Sequence, residues 1–191
     1  MKKIILASGS PRRKELLEQI GLKFEIDKSD YAEDMSLPMK PKELAQFLSG
    51  KKAETVAHKY TDAIIISADT FVVLGDEILG KPHTEEKARE MLKKISGKVV
   101  DVITGFTVIE TASQKEISQA VDTKIFIKDL TEEEINAYVA TGEPLDKAGA
   151  FGIQEKGVFL VEKIEGSYTN VVGLPLYELK RTLSDFGIKT L

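Results

Sequence analysis

The apolar run Asp62-Ala63-Ile64-Ile65-Ile66-Ser67-Ala68, closed by Asp69-Thr70, limits most strongly what this chain can become. Its apolar residues are continuous rather than alternating, so both faces need covering, the signature of a central strand buried within a sheet. Around it strand-like and helix-like segments alternate before strands dominate the middle, which favours a mixed α/β architecture over an all-α or all-β one. No internal repeat is present. At 191 residues the chain can bury one sizeable core or two small lobes sharing a cleft. With no Ser- or Gly-rich linker, a single two-lobed domain over residues 1–191 is expected.

The chain opens with a strand-to-helix transition. Lys2-Lys3-Ile4-Ile5-Leu6-Ala7 breaks through Ser8-Gly9-Ser10 into Pro11-Arg12-Arg13, and a helix is expected from Pro11, with Ser10 as its cap, until Gly21 stops it. Arginines in a first turn oppose the positive end of the helix dipole unless an anion faces them. Two readings stand for this segment: a phosphate site, or solvated arginines beside capping serines.

Further along, residues 24–39 read as a strand end and an acidic loop with Asp30, Glu33 and Asp34, and residues 41–60 as a helix weakened at Gly50. Phe71 to Leu74 and Glu77 to Leu79 form an expected hairpin around Gly75-Asp76, followed by a helix from Glu85 to Ile95. Residues 98–109 and 115–128, rich in Val, Ile and Thr, predict a long antiparallel pair. Thr131-Glu132-Glu133-Glu134 is a capping box opening a helix to about Ala140. Glu143 to Lys156 reads as a loop, Val158 to Ile164 as a strand and Pro175 to Phe186 as the last helix.

Composition narrows the chemistry. Hydrophobic and charged fractions of 42% and 30% are ordinary for a globular protein, and no apolar run approaches the ~20 residues of a membrane span. The apolar run after Lys2-Lys3 is too short for a secretory signal, so a cytoplasmic protein without a membrane partner is expected. The absence of cysteine excludes disulfides, thiolate metal sites and a cysteine nucleophile. A formal net charge of −4 speaks against nonspecific nucleic-acid binding. There is no P-loop, no Gly-x-Gly-x-x-Gly after the first strand and no serine elbow, and His58 and His83 lack metal-ligand spacing.

Asp69 is the strongest catalytic candidate, because a carboxylate at the end of a buried strand is held rigidly where open α/β sheets place their ligands. The competing reading is an aspartate that serves a turn. Glu33 is its natural partner, since Mg²⁺ takes one or two carboxylates together with substrate phosphates. On its own Glu33 also reads as part of a solvated acidic loop. Lys81 in Leu79-Gly80-Lys81-Pro82, Lys52 on the second helix and Lys147 in the glycine-containing loop would neutralise a triphosphate if they converged; singly each reads as a solvated charge.

Taken together, Ser8-Gly9-Ser10-Pro11-Arg12-Arg13-Lys14-Glu15-Leu16-Leu17, Ala68-Asp69-Thr70, Gly80-Lys81-Pro82, Leu92-Lys93-Lys94-Ile95-Ser96-Gly97 and Asp146-Lys147-Ala148-Gly149-Ala150-Phe151-Gly152-Ile153-Gln154 resemble the Maf family of nucleoside triphosphate pyrophosphatases. The motifs run in order over essentially the whole chain, through Gly173-Leu174-Pro175. The resemblance implies an elongated α/β fold, a mixed sheet flanked by helices with two lobes around a central cleft, similar to inosine triphosphate pyrophosphatases, and a homodimer. It implies Asp69 as proton acceptor, Ser8, Arg12 and Arg13 at the phosphate-binding start, Glu33 in the acidic loop, and Lys52 and Lys81 as substrate-binding cations. Arg12, Thr70 and Gln154 fall where the family sets substrate choice.

The Ala68-Asp69-Thr70 form is similar to the branch acting on dTTP and UTP, whereas the 7-methyl-GTP branch tends to carry Asp-Gln. Phe151 stands where many members have tyrosine, which keeps the ring and loses a hydroxyl. The implied reaction releases a nucleoside monophosphate and pyrophosphate, with Mg²⁺ or Mn²⁺ held by Asp69 and Glu33, and its implied purpose is house-cleaning of the nucleotide pool. The alternative is a nucleotide-binding regulator of septum formation, a role also linked to the family.

Overall fold

The structure, a computed structural model, describes residues 2–190. Among these residues, seven strands form one mixed sheet in the order β2-β1-β3-β5-β6-β7, with β4 paired to β3. β1 (Lys3–Leu6) leads into α1 (Pro11–Gln19), followed by β2 (Glu25–Ile26), α2 (Pro41–Ala57), β3 (Ala63–Leu74) and β4 (Glu77–Leu79). Then come α3 (Glu85–Ile95), β5 (Val99–Glu110), β6 (Lys115–Ile127), α4 (Glu132–Val139), three 3₁₀ turns between Glu143 and Leu160, β7 (Val161–Glu165), α5 (Tyr168–Val172) and α6 (Leu176–Asp185). β1 runs parallel to both β2 and β3, with Ile5 opposite Ile65 and Leu6 opposite Ile66. β3 with β4 and β6 with β7 are antiparallel. No helix among the described residues is long and apolar enough to cross a membrane.

The chain divides into two compact units. The first holds the residues up to Asp69, Thr104–Val121 and the residues from Gly173 on; the second holds Thr70–Ile103 and Asp122–Val172. In the first, Ile5 and Ala7 of the β1 segment and Ala63 and Ile65 of β3 bury one face against Ala53 and Val56 of α2. Ile4, Leu6, Ile64 and Ile66 on the alternate positions are buried too, which is why the sequence shows no alternation there. In the second, Val100, Val102, Ile125 and Ile127 pack with Ala88, Leu92 and Ile95 of α3 and with Ile135, Tyr138 and Val139 of α4.

Several boundaries differ from the sequence expectation. β3 does not end at Ala68 but carries through Asp69 and Thr70 to Leu74, because Phe71, Val72 and Val73 are buried and their ladder continues onto β4. Asp69 therefore sits inside a strand rather than at its end. The strand expected from Val158 begins at Val161; the preceding residues form a 3₁₀ turn in which the Gly157 N–H donates to the Glu143 side chain. α2 runs unbroken through Gly50, since tertiary burial of that turn outweighs the weak propensity of glycine. Ser10 occupies the N-cap of α1, yet its side chain makes no capping bond. The five-residue α5 is too short to produce a periodic pattern and was not expected.

Candidate active site

Asp69 is buried in β3, where paired backbone on a central strand leaves its carboxylate little freedom. α2 brings a cation to it. Lys52 Nζ donates to Asp69 Oδ2 at 2.7 Å and stands 2.6 Å from Glu33 Oε1, so one ammonium joins the two carboxylates singled out from the sequence. The Asp69 and Lys52 side chains retain only 9% and 12% of their exposure, while Glu33 keeps 44%. A pair this deep is held by low dielectric and is sensitive to loss of either partner.

The seating of α2 explains how Lys52 reaches that depth. Ser67 Oγ of β3 donates to the Ser49 carbonyl at 2.5 Å, and Ser49 Oγ shares a 2.8 Å hydrogen bond with Thr107 Oγ1, which in turn donates to Ser118 Oγ at 3.0 Å. A Cβ on Gly105 would lie 2.2 Å from the backbone of Ala45, so strand and helix touch backbone to backbone there. Ser49 precedes Lys52 by one helical turn, and the seam beneath the first fixes the height of the second. Ser49 and Thr107 were not expected as part of the site. Their signal was a small polar residue among the apolar positions Leu44, Phe47 and Leu48.

The N-terminal group is organised around Arg13. Its Nε donates to the Gly173 carbonyl at 2.8 Å and its Nη1 to Ser8 Oγ at 3.1 Å, and Ser8 Oγ also accepts the Ser10 N–H at 3.3 Å. Arg13 is thus tied back into the protein, while Arg12 beside it is half-buried. Burial lowers the Arg13 guanidinium pKa from its ordinary value, and the negative charge of Asp69 opposes that shift, as does that of Glu33 more weakly. Arg13 therefore shares an electrostatic neighbourhood with both carboxylates.

The remaining candidates belong to the second unit. Thr70 follows Asp69 along β3 and is half-buried; Lys81 after β4 and Gln154 in the turn-rich loop are exposed. The Lys81 segment is braced by that loop: the Gly149 N–H donates to the Gly80 carbonyl and the His83 N–H to the Leu145 carbonyl, both at 3.1 Å. Lys147 pairs with Asp146 at 2.7 Å. Phe151 is buried in the core, and both His58 and His83 are exposed.

A family profile described as "Maf-like protein" matches residues 3–186. The chain belongs to the Maf family. A dTTP/UTP pyrophosphatase of Methanosarcina mazei is 50% identical over 189 residues, covering 98% of this chain and 96% of the relative. One of Acetivibrio thermocellus is 50% identical over 198 residues, covering 100% and 98%, and one of Bacillus cereus is 48% identical over 188 residues, covering 98% and 92%. The Staphylococcus aureus Ham1 protein superposes with a TM-score of 0.57 at 14% identity, over 97% of this Maf chain and 100% of that chain, a likeness of fold.

Among the described residues no group of three or more His, Cys, Asp or Glu side chains is placed to hold a metal. Two carboxylates do converge on one Nζ. That pair fits Mg²⁺ or Mn²⁺, whose coordination is completed by waters and substrate phosphates rather than by an all-protein cage.

Proposed function

We propose that this Maf chain hydrolyses dTTP and UTP to the nucleoside monophosphate and pyrophosphate, as house-cleaning of the nucleotide pool. The observation that carries the reading is the buried Asp69–Lys52 pair joined by Glu33, in a chain half identical over nearly its whole length to dTTP/UTP pyrophosphatases. Asp69 accepts a proton from water as its oxygen bonds to the α-phosphorus. The bond from the α-phosphorus to the bridging oxygen breaks, and pyrophosphate leaves with the electron pair.

Lys52 holds the Asp69 carboxylate in place through the 2.7 Å hydrogen bond from its Nζ. Arg13, Arg12, Ser8 and the first N–H groups of α1 favour the phosphates, and Lys81 adds a further cation. Thr70, Gln154 and Arg12 set the choice of base. Asp69 and Glu33 would hold Mg²⁺ or Mn²⁺, which when bound supplies charge neutralisation and a more acidic water. The reading also carries a cytoplasmic location, a homodimer, and neither a nucleic-acid nor a membrane partner.

The test is a panel of dTTP, UTP, CTP, GTP and 7-methyl-GTP with Mg²⁺ or Mn²⁺, scoring pyrophosphate against orthophosphate. Pyrophosphate from dTTP and UTP is the expected result. No release from any nucleotide by folded protein contradicts the reading and favours the regulator of septum formation.

A further inference from the structure

The loop that carries Gln154 has no strand ladder to hold it, yet its backbone is tied down on both sides of that residue. The Gly152 N–H donates to the Tyr138 hydroxyl oxygen at 3.1 Å, the Lys156 N–H to Glu143 Oε2 at 2.9 Å and the Gly157 N–H to Glu143 Oε1 at 3.1 Å. The Tyr138 hydroxyl in turn donates to Glu143 Oε1 at 2.8 Å. One phenol and one carboxylate thus serve three backbone N–H groups that bracket Gln154.

The arrangement is anchored in the core and closely fitted. Tyr138 is 1% exposed on α4, between buried Ile135 and Val139. Thr141 Oγ1 donates to the Tyr138 carbonyl at 2.7 Å and accepts the Glu143 N–H at 3.2 Å, which fixes the step from helix to carboxylate. A Cβ on Gly157 would lie 2.4 Å from the Gly152 carbonyl oxygen and 2.5 Å from the Tyr138 hydroxyl, so that position has room only for glycine. Burial and the Glu143 hydrogen bond push the Tyr138 hydroxyl above the ordinary tyrosine range, which keeps it a donor. The same loop contacts the Lys81 segment through Gly149 and Leu145.

We propose that Tyr138 and Glu143 are positioning residues for substrate selection: the pair holds residues 152–157 in one conformation and so presents Gln154 ready-made to the nucleotide. The proposal rests on the reading of Gln154 as a base-selecting residue. It separates fold from function, because α4 is seated by apolar packing whether or not the phenol is present. Its signature is lost binding with retained chemistry, since loop ordering would then accompany substrate binding.

The experiment measures kcat and KM for dTTP and UTP, and selectivity against GTP, in wild type, Tyr138→Phe, Glu143→Gln, Gln154→Ala and the Tyr138→Phe/Gln154→Ala double variant. Tyr138→Phe keeps the ring and removes two of the hydrogen bonds. The expected result is KM raised about tenfold with kcat within about threefold, selectivity reduced, and a double variant no worse than Gln154→Ala alone. Glu143→Gln keeps one carbonyl acceptor and is expected to fall between wild type and Tyr138→Phe; it carries the test should the latter fail to fold.

Wild-type KM and selectivity in both Tyr138→Phe and Glu143→Gln, with Gln154→Ala impaired, overturns the proposal alone. Full additivity in the double variant also overturns it. An unimpaired Gln154→Ala in an enzyme that still cleaves dTTP overturns the reading of Gln154 and the proposal with it.

Discussion

The two groups of candidate site residues are held in different ways. In the first unit, Asp69 and Lys52 stand on β3 and α2, elements with their own ladders and core, and charge joins side chain to side chain. In the second, Gln154 stands on a loop of short turns whose backbone is held by a neutral phenol and one carboxylate. Rigid elements suit groups that touch reacting atoms, where small displacements are costly, while a braced loop suits recognition. The contrast predicts that damage to the first group falls on kcat and damage to the second on KM.

The sharpest break is Asp69→Asn, which keeps shape and removes the proposed base: kcat for dTTP is expected to fall about 10³-fold with KM little changed, measured by pyrophosphate release. Next is Lys52→Met, which leaves the Asp69 carboxylate buried without that ammonium. A loss of about 10²-fold in kcat and about 3 kcal/mol of stability by denaturant titration is expected. If either change raised KM instead and spared kcat, the division between the groups would fail.

Tyr138→Phe and Gln154→Ala sharpen the other side, with KM shifts of about tenfold and chemistry retained. The smallest effect concerns pH. The folded-state pKa of Tyr138 lies above its ordinary value of 10.0, so its contribution to stability is complete below that pH and is lost as pH rises through the folded value. Wild type should therefore lose stability more steeply than Tyr138→Phe as pH rises above about 10 in paired denaturant titrations. Parallel curves would show that the phenol is not shielded as described.

The same contrast explains what was legible in the sequence. The buried run before Asp69, the capping box at Thr131 and the helix over Glu85–Ile95 are local patterns, and they coincide with β3, α4 and α3. The continuation of β3 past Thr70 depends on pairing with β4 and is hidden when the apolar run is read as a strand that ends at Asp69. Asp69 and Glu33 were singled out as partners, but the ammonium joining them depends on how deeply α2 sits, set by Gly105 and the Ser49–Thr107 hydrogen bond some 55 to 60 residues away. Tyr138, Glu143, Gly152 and Gly157 share no periodicity. Tyr138 reads from sequence as one apolar position of a helix, and only its hydroxyl, invisible to hydropathy, links it to the loop.

The measurement that tests the central claim most directly is hydrolysis of dTTP in ¹⁸O-enriched water, with the label located by mass spectrometry in wild type and Asp69→Asn at single turnover. Attack at the α-phosphorus assisted by Asp69 predicts label in the monophosphate and none in pyrophosphate, with the rate, not the label position, lost in Asp69→Asn. Label in pyrophosphate, or an Asp69→Asn variant that turns over like wild type while properly folded, would contradict the account.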